Sequence, residues 1–194
     1  MKLKKIIIYD EVSIPEIRIS EITSFLKDNF AVDIIIKDSF FQGLDKEEIK
    51  SLSKIRIFNI YKKYTQCEPE QKSIIFEEKL CNDSSIMEQV TKIEDVKDIS
   101  DIIMYDGFEL QKFLREKINY VTNDTLHIIF TNRLTCTFDD SDSRYHGRAV
   151  ICANPAILST TGIIEAPAKS KEFYIQAMAN KSQGLGIDTV KEQH

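Results

Sequence analysis

The chain of 194 residues carries 26 Lys and Arg against 31 Asp and Glu, a formal net charge of −5, and is 42% hydrophobic and 29% charged. Such a composition is ordinary for a globular fold with its own buried core, so neither disulfides nor a structural metal is required for folding. The acidic balance argues against a nucleic-acid partner, since such proteins usually show a basic patch, and no run approaches the ~18 apolar residues that a bilayer span needs.

The N-terminal run Met1–Tyr9 is too short for a secretory leader and reads instead as a strand over 5–9, Lys-Ile-Ile-Ile-Tyr. A continuous apolar run of this kind suits a parallel strand buried on both faces. Ser13 and Glu16 then give a capping-box pattern around Pro15, and Ile14, Ile17, Ile22, Phe25 and Leu26 follow at helical spacing, predicting a helix over 14–28. A second strand is expected at 32–36, so the first forty residues spell β-α-β. Asp45 and Glu48 repeat the cap and predict a helix over 46–61. Ser73-Ile74-Ile75-Phe76 reads as a strand, and Asn82–Ser100 as a polar surface excursion with a short helix near Met87.

Order returns at Ile102–Tyr105, a strand, followed by a helix over 107–119 capped by Asp106 and Glu109. Thr125–Phe130 is a clear strand. Leu134–Phe138 and Arg148–Cys152 form an expected hairpin around the loop Asp139–Arg144. Leu158–Gly162 reads as a hydroxyl-rich turn, Lys169–Ala179 as a final helix, and 181–194 as a tail. The fold class is therefore α/β: one domain over 1–180, a layered, mixed but mostly parallel sheet with covering helices and an edge hairpin.

Candidate chemistry concentrates in the second half. The acidic tip Asp139-Asp140-Ser141-Asp142-Ser143 offers oxygen ligands of the sort calcium takes, but lacks the glycine and closing glutamate of an EF-hand, so a solvated tip accounts for it better. Arg144, His146 and Arg148 form the densest cluster, suited to holding an anion or to proton transfer by His146. Pairing of the arginines with the neighbouring acidic loop is the competing reading. Arg133 joins them as a ligand-binding candidate, and Glu165 as a candidate acid. His127, between apolar neighbours in a strand, reads as a half-buried structural residue. Cys67, Cys81, Cys136 and Cys152 form no CxxC pair; reduced thiols in the cytoplasm are the default. The zinc-protease helix, the serine elbow and the dinucleotide loop are absent from the sequence.

The blocks Leu126–Leu134, Arg144–Arg148 and Ser159–Ala168, with Tyr105–Gln111 upstream, resemble an archaeal family of uncharacterised, metallopeptidase-like proteins distantly similar to archaemetzincins. The resemblance is firm over about 103–175. It implies a zincin-like α/β body. It also implies that zinc chemistry resides in a C-terminal segment with cysteines and a histidine, which has no counterpart before His194. The expectation is a shortened or truncated member without peptidase activity, with zinc suggested by the resemblance alone and the metal ligands unknown. The alternative is a binding or interaction module that recognises an anionic ligand or an acidic protein partner.

Overall fold

The computed structural model describes residues 3–11, 17–82, 104–118 and 121–164, together with Ile175 and Ala179. It is mixed α/β, built on two mixed sheets and several helices, as the sequence predicts.

The main sheet has the order β2-β1-β5-β9-β8. Its strands are β1 (Lys5–Asp10), β2 (Asp33–Asp38), β5 (Thr125–Thr131), β9 (Ala156–Ser159) and β8 (Val150–Ile151). β1 lies parallel to both β2 and β5, and β5 parallel to β9; only β8 runs antiparallel. The alternation within β1 sorts its residues between two cores. Ile6 and Ile8 pack with Phe130 beneath α1 (Ile19–Asn29), which contributes Ile19, Ile22 and Leu26. Tyr9 and Ile7 face the opposite way, into a core shared with Tyr105, Leu110, Phe113, Leu114 and Ile129. α1 begins later than the expected helix over 14–28, with Arg18 extended at its N-cap; the Ser13/Glu16 pattern lies outside the described residues.

The second sheet has the order β3-β4-β6-β7. Its strands are β3 (Arg56–Ile57), β4 (Met104–Asp106), β6 (Leu134–Asp139) and β7 (Arg144–Arg148). The capping box at Asp45 is present: the Asp45 carboxylate accepts from Glu48 N, and Glu48 accepts from Asp45 N, both at 2.9 Å. The helix it opens, α2 (Lys46–Ser53), ends well before residue 61, because Ile55 and Ile57 bury into different cores and draw the chain into β3. The expected strand over 73–76 is instead part of α3 (Gln71–Asn82), whose buried positions Ser73, Glu77 and Leu80 follow helical spacing. Two of those three are polar, which hides the stripe from a hydrophobicity reading. The fourth helix, α4 (Gly107–Lys117), starts where Asp106 accepts from Phe108 N and Glu109 N. Gly107 packs closely: a Cβ there would lie 2.5 Å from Ile151 Cδ1, which would have to shift.

The hairpin is β6–β7, so its return strand is Arg144–Arg148 and not Arg148–Cys152; Val150–Ile151 crosses to the main sheet. Ser143, at a φ of 56°, makes the tight reversal. The expected turn at 158–162 is the end of β9 running directly into α5 (Thr160–Ile164). Of the expected final helix only Ile175 and Ala179 are described, both helical. The excursion over 83–100, the tail and Glu165 lie outside the described residues.

Candidate functional site

The hairpin presents three of the predicted residues together. Strand periodicity puts Arg144, His146 and Arg148 on one face and Tyr145 on the other. Tyr145 is buried; its hydroxyl donates to Asp106 Oδ2 at 2.8 Å and accepts from Tyr64 N at 2.9 Å, and its ring meets Phe138 edge-on. That anchor fixes the hairpin on the start of α4. At the tip, Asp142 Oδ2 accepts from Arg144 Nε and faces His146 Nε2, each at 2.8 Å. The His146 contact, with Arg144 beside it, holds the Asp142 carboxyl below its usual range. Asp139 is lowered likewise by hydrogen bonds from Ser141. Lys63 closes on Asp140 at 2.8 Å. Arg148 donates to Thr137 Oγ1 at 2.9 Å and has no ion pair among the described residues.

Arg133 is placed elsewhere. It sits in the two-residue turn that carries the chain from β5 in the main sheet to β6 in the second, and its side chain is fully buried. Its Nη1 donates to Glu11 Oε1, and its Nε and Nη2 donate to Glu77 Oε1 at 3.0 and 2.7 Å. Each carboxylate has further partners. Thr131 Oγ1 and Asn132 N donate to Glu11 Oε2, and the Tyr105 hydroxyl donates to Glu77 Oε2 at 2.7 Å. The guanidinium stacks 3.8 Å from the centroid of Phe41. Arg133 is thus committed to internal partners, whereas Arg144, His146 and Arg148 meet solvent. Glu11 and Glu77 escaped sequence reading; the only signal was a charged residue at the end of an apolar strand and another on a half-apolar helix.

The cysteines do not gather. Cys136 is buried and donates to Tyr105 O at 3.2 Å, with its thiol pushed up by burial. Cys81 lies beside Arg133, pushed up to about 12 by burial. Cys67 and Cys152 are exposed, and all four are free. Among the described residues, the group with metal-ligand spacing is Asp139, Asp142 and His146, whose ligand atoms lie within 4.8 Å of one another. A catalytic zinc needs three ligands and an open coordination position. Here the imidazole nitrogen already faces the Asp142 oxygen, Arg144 places a cation on that same oxygen, and the trio stands on a solvated tip. The donor set does not fit a resident catalytic metal.

An α/β body of two mixed sheets, with a polar hairpin fixed at the edge of the second, is the class this architecture defines. By sequence, the chain belongs to the family described as "Probable metallopeptidase family (DUF6775)", whose model matches residues 2–194. The match therefore extends well beyond the motif-rich stretch of 103–175. No curated protein matches the chain, and no solved structure does.

Proposed function

We propose that this member of the metallopeptidase family acts by binding rather than by hydrolysing peptides, and that the outward face of the hairpin recognises an anionic ligand or an acidic protein partner. The observation that carries this reading is the alignment of Arg144, His146 and Arg148 on one rigidly anchored strand face, with Arg148 free of any carboxylate among the described residues. The engaged state of the donor sets supports it: Glu11 and Glu77 are both ion-paired with Arg133, and Asp142 of the hairpin trio contacts Arg144 and His146. The same reading takes the body as a zincin-like scaffold in the cytoplasm, supported by the motif resemblance and by four free thiols.

Metal content of the purified chain, measured by mass spectrometry at known protein concentration, tests it alongside peptide cleavage with and without chelator. The expected result is substoichiometric zinc, no chelator-sensitive cleavage, and a phosphate-induced thermal shift that is lost in Arg148→Ala. One zinc per chain, with cleavage abolished by chelator and by His146→Ala or Glu165→Gln, overturns it and restores a hydrolytic role to those two residues.

A further inference from the structure

A second, unrelated site lies at the other end of the main sheet. Where β1 and β5 begin, the sheet face beside the C-terminal end of α4 lines an open cleft of about 1130 Å³ that no described element fills. Ligand pockets usually occupy about 300–1,000 Å³, so the space suffices for a small organic molecule. Its floor is apolar and aromatic, with Ile7, Tyr9 and Phe40; Tyr9 and Phe40 meet edge-on at 5.2 Å. Its rim is basic: Lys4, Lys5, Lys37 and Lys117 stand against Asp38 and Asp124. Two of those lysines are already paired, Lys4 with Asp124 at 3.4 Å and Lys117 with Glu48 at 2.8 Å. Lys5 and Lys37 have no ion pair among the described residues. The register sets Lys37 directly beside Tyr9, and its ammonium lies 5.5 Å from that ring.

His127 is the decisive residue. It lines the cleft, yet is only 4% exposed, and its ring stacks 6.0 Å from Tyr9. Nδ1 is hydrogen-bonded to the Tyr9 hydroxyl at 3.2 Å, whereas Nε2 is buried without a partner among the described residues. A buried polar atom left unpaired is destabilising, and a bound group that pairs with it recovers that loss. Burial, and then the nearby Lys37, lowers the affinity of the ring for a second proton, so it is neutral at pH 7. In the tautomer in which the Tyr9 hydroxyl donates to Nδ1, the proton sits on Nε2 and lacks an acceptor among the described residues.

We propose that this cleft binds an organic anion with an apolar body, its anionic head taken by His127 Nε2–H, Lys37 and Lys5 and its body laid on Ile7, Tyr9 and Phe40. A carboxylate and a phosphate monoester share this chemistry. The site is separate from the hairpin, and its test is independent of whether the protein hydrolyses peptides.

The test uses the full chain at pH 7.5, with N-acetyl-phenylalanine, its neutral amide and phenyl phosphate as probes. Binding is followed by titration calorimetry and by the nitrogen resonances of the His127 ring. The expected result is binding of at least one anion, tenfold or more weaker binding of the amide, and displacement of the Nε2 resonance on saturation. Lys37→Met, an exposed change that leaves thermal stability intact, weakens binding about tenfold, as does His127→Gln. Comparison of the two anions identifies the head. Equal binding of amide and anion, a motionless His127 resonance, or no binding of either anion at 10 mM overturns the proposal. Inorganic phosphate binding as tightly as phenyl phosphate overturns the role of the apolar floor.

Discussion

Arg133 joins three segments that meet only in the folded chain. Its removal would strand two buried carboxylates, so Arg133→Met should destabilise the fold by about 3–5 kcal/mol, read from urea unfolding. Replacing Glu11, Glu77 and Arg133 together by apolar residues of similar size should cost far less than Arg133→Met alone. A single-variant loss under about 1 kcal/mol would contradict the buried geometry. His127 carries a prediction of opposite origin. Its folded-state pKa is depressed, chiefly by burial. The unfolded chain therefore takes up a proton near the free value of about 6.5 while the folded one does not. Its contribution is fully present above that value and declines as the pH falls through it toward the lower folded pKa. Urea unfolding at pH 7.5 and pH 5.5 should show a loss in the wild type that is smaller in His127→Gln. The partners of Arg133 are 122 and 56 positions away, a separation that no local pattern carries. The hairpin cluster, by contrast, was legible, because Arg144, His146 and Arg148 alternate over five consecutive residues.

At the level of elements, the sequence was most readable where a side chain completes a backbone hydrogen bond nearby. Asp45 and Asp106 mark the starts of α2 and α4 within a residue, because each short carboxylate accepts from amides two or three positions on. Asp45→Ala should lower stability by about 1 kcal/mol. Asp106→Ala should cost more, since the Tyr145 hydroxyl also loses its acceptor; thermal unfolding of the two variants side by side checks the order. What ends an element was harder to see. α2 stops at Ser53 because Ile55 and Ile57 serve different cores, a tertiary reason, and α3 was obscured because its buried face holds Ser73 and Glu77. Gly107 shows the tightest element contact: Gly107→Ala should cost about 1–3 kcal/mol, as an added methyl must displace Ile151.

The two sheets share one apolar cluster, to which Tyr9, Ile129 and Ile157 of the main sheet and Tyr105 of the second all belong. A continuous core of this kind predicts one cooperative transition, with far-UV circular dichroism and tyrosine fluorescence coinciding in urea; the chain has 7 Tyr and no Trp. Separate transitions would divide the chain into two units. Fold class was readable at this scale because the parallel strands β1, β2 and β5 announce themselves as apolar runs, although β2, at the edge of the sheet, is mostly exposed. The partition into two sheets was not, because it turns on Asn132 and Arg133, two residues between strands that look like an ordinary hairpin connection.

The position of β1 between β2 and β5 has a consequence for how the protein is made. β2 emerges from the ribosome soon after β1, but β5 follows only after residue 124, so β1 keeps one edge bare throughout the synthesis of the segment between β2 and β5. Glu11 and Glu77 are synthesised long before the arginine that pairs with them. A nascent chain stalled before Arg133 should therefore remain protease-sensitive and prone to edge-to-edge association, and synthesis through β9, which covers the free edge of β5, should convert it to a protected state.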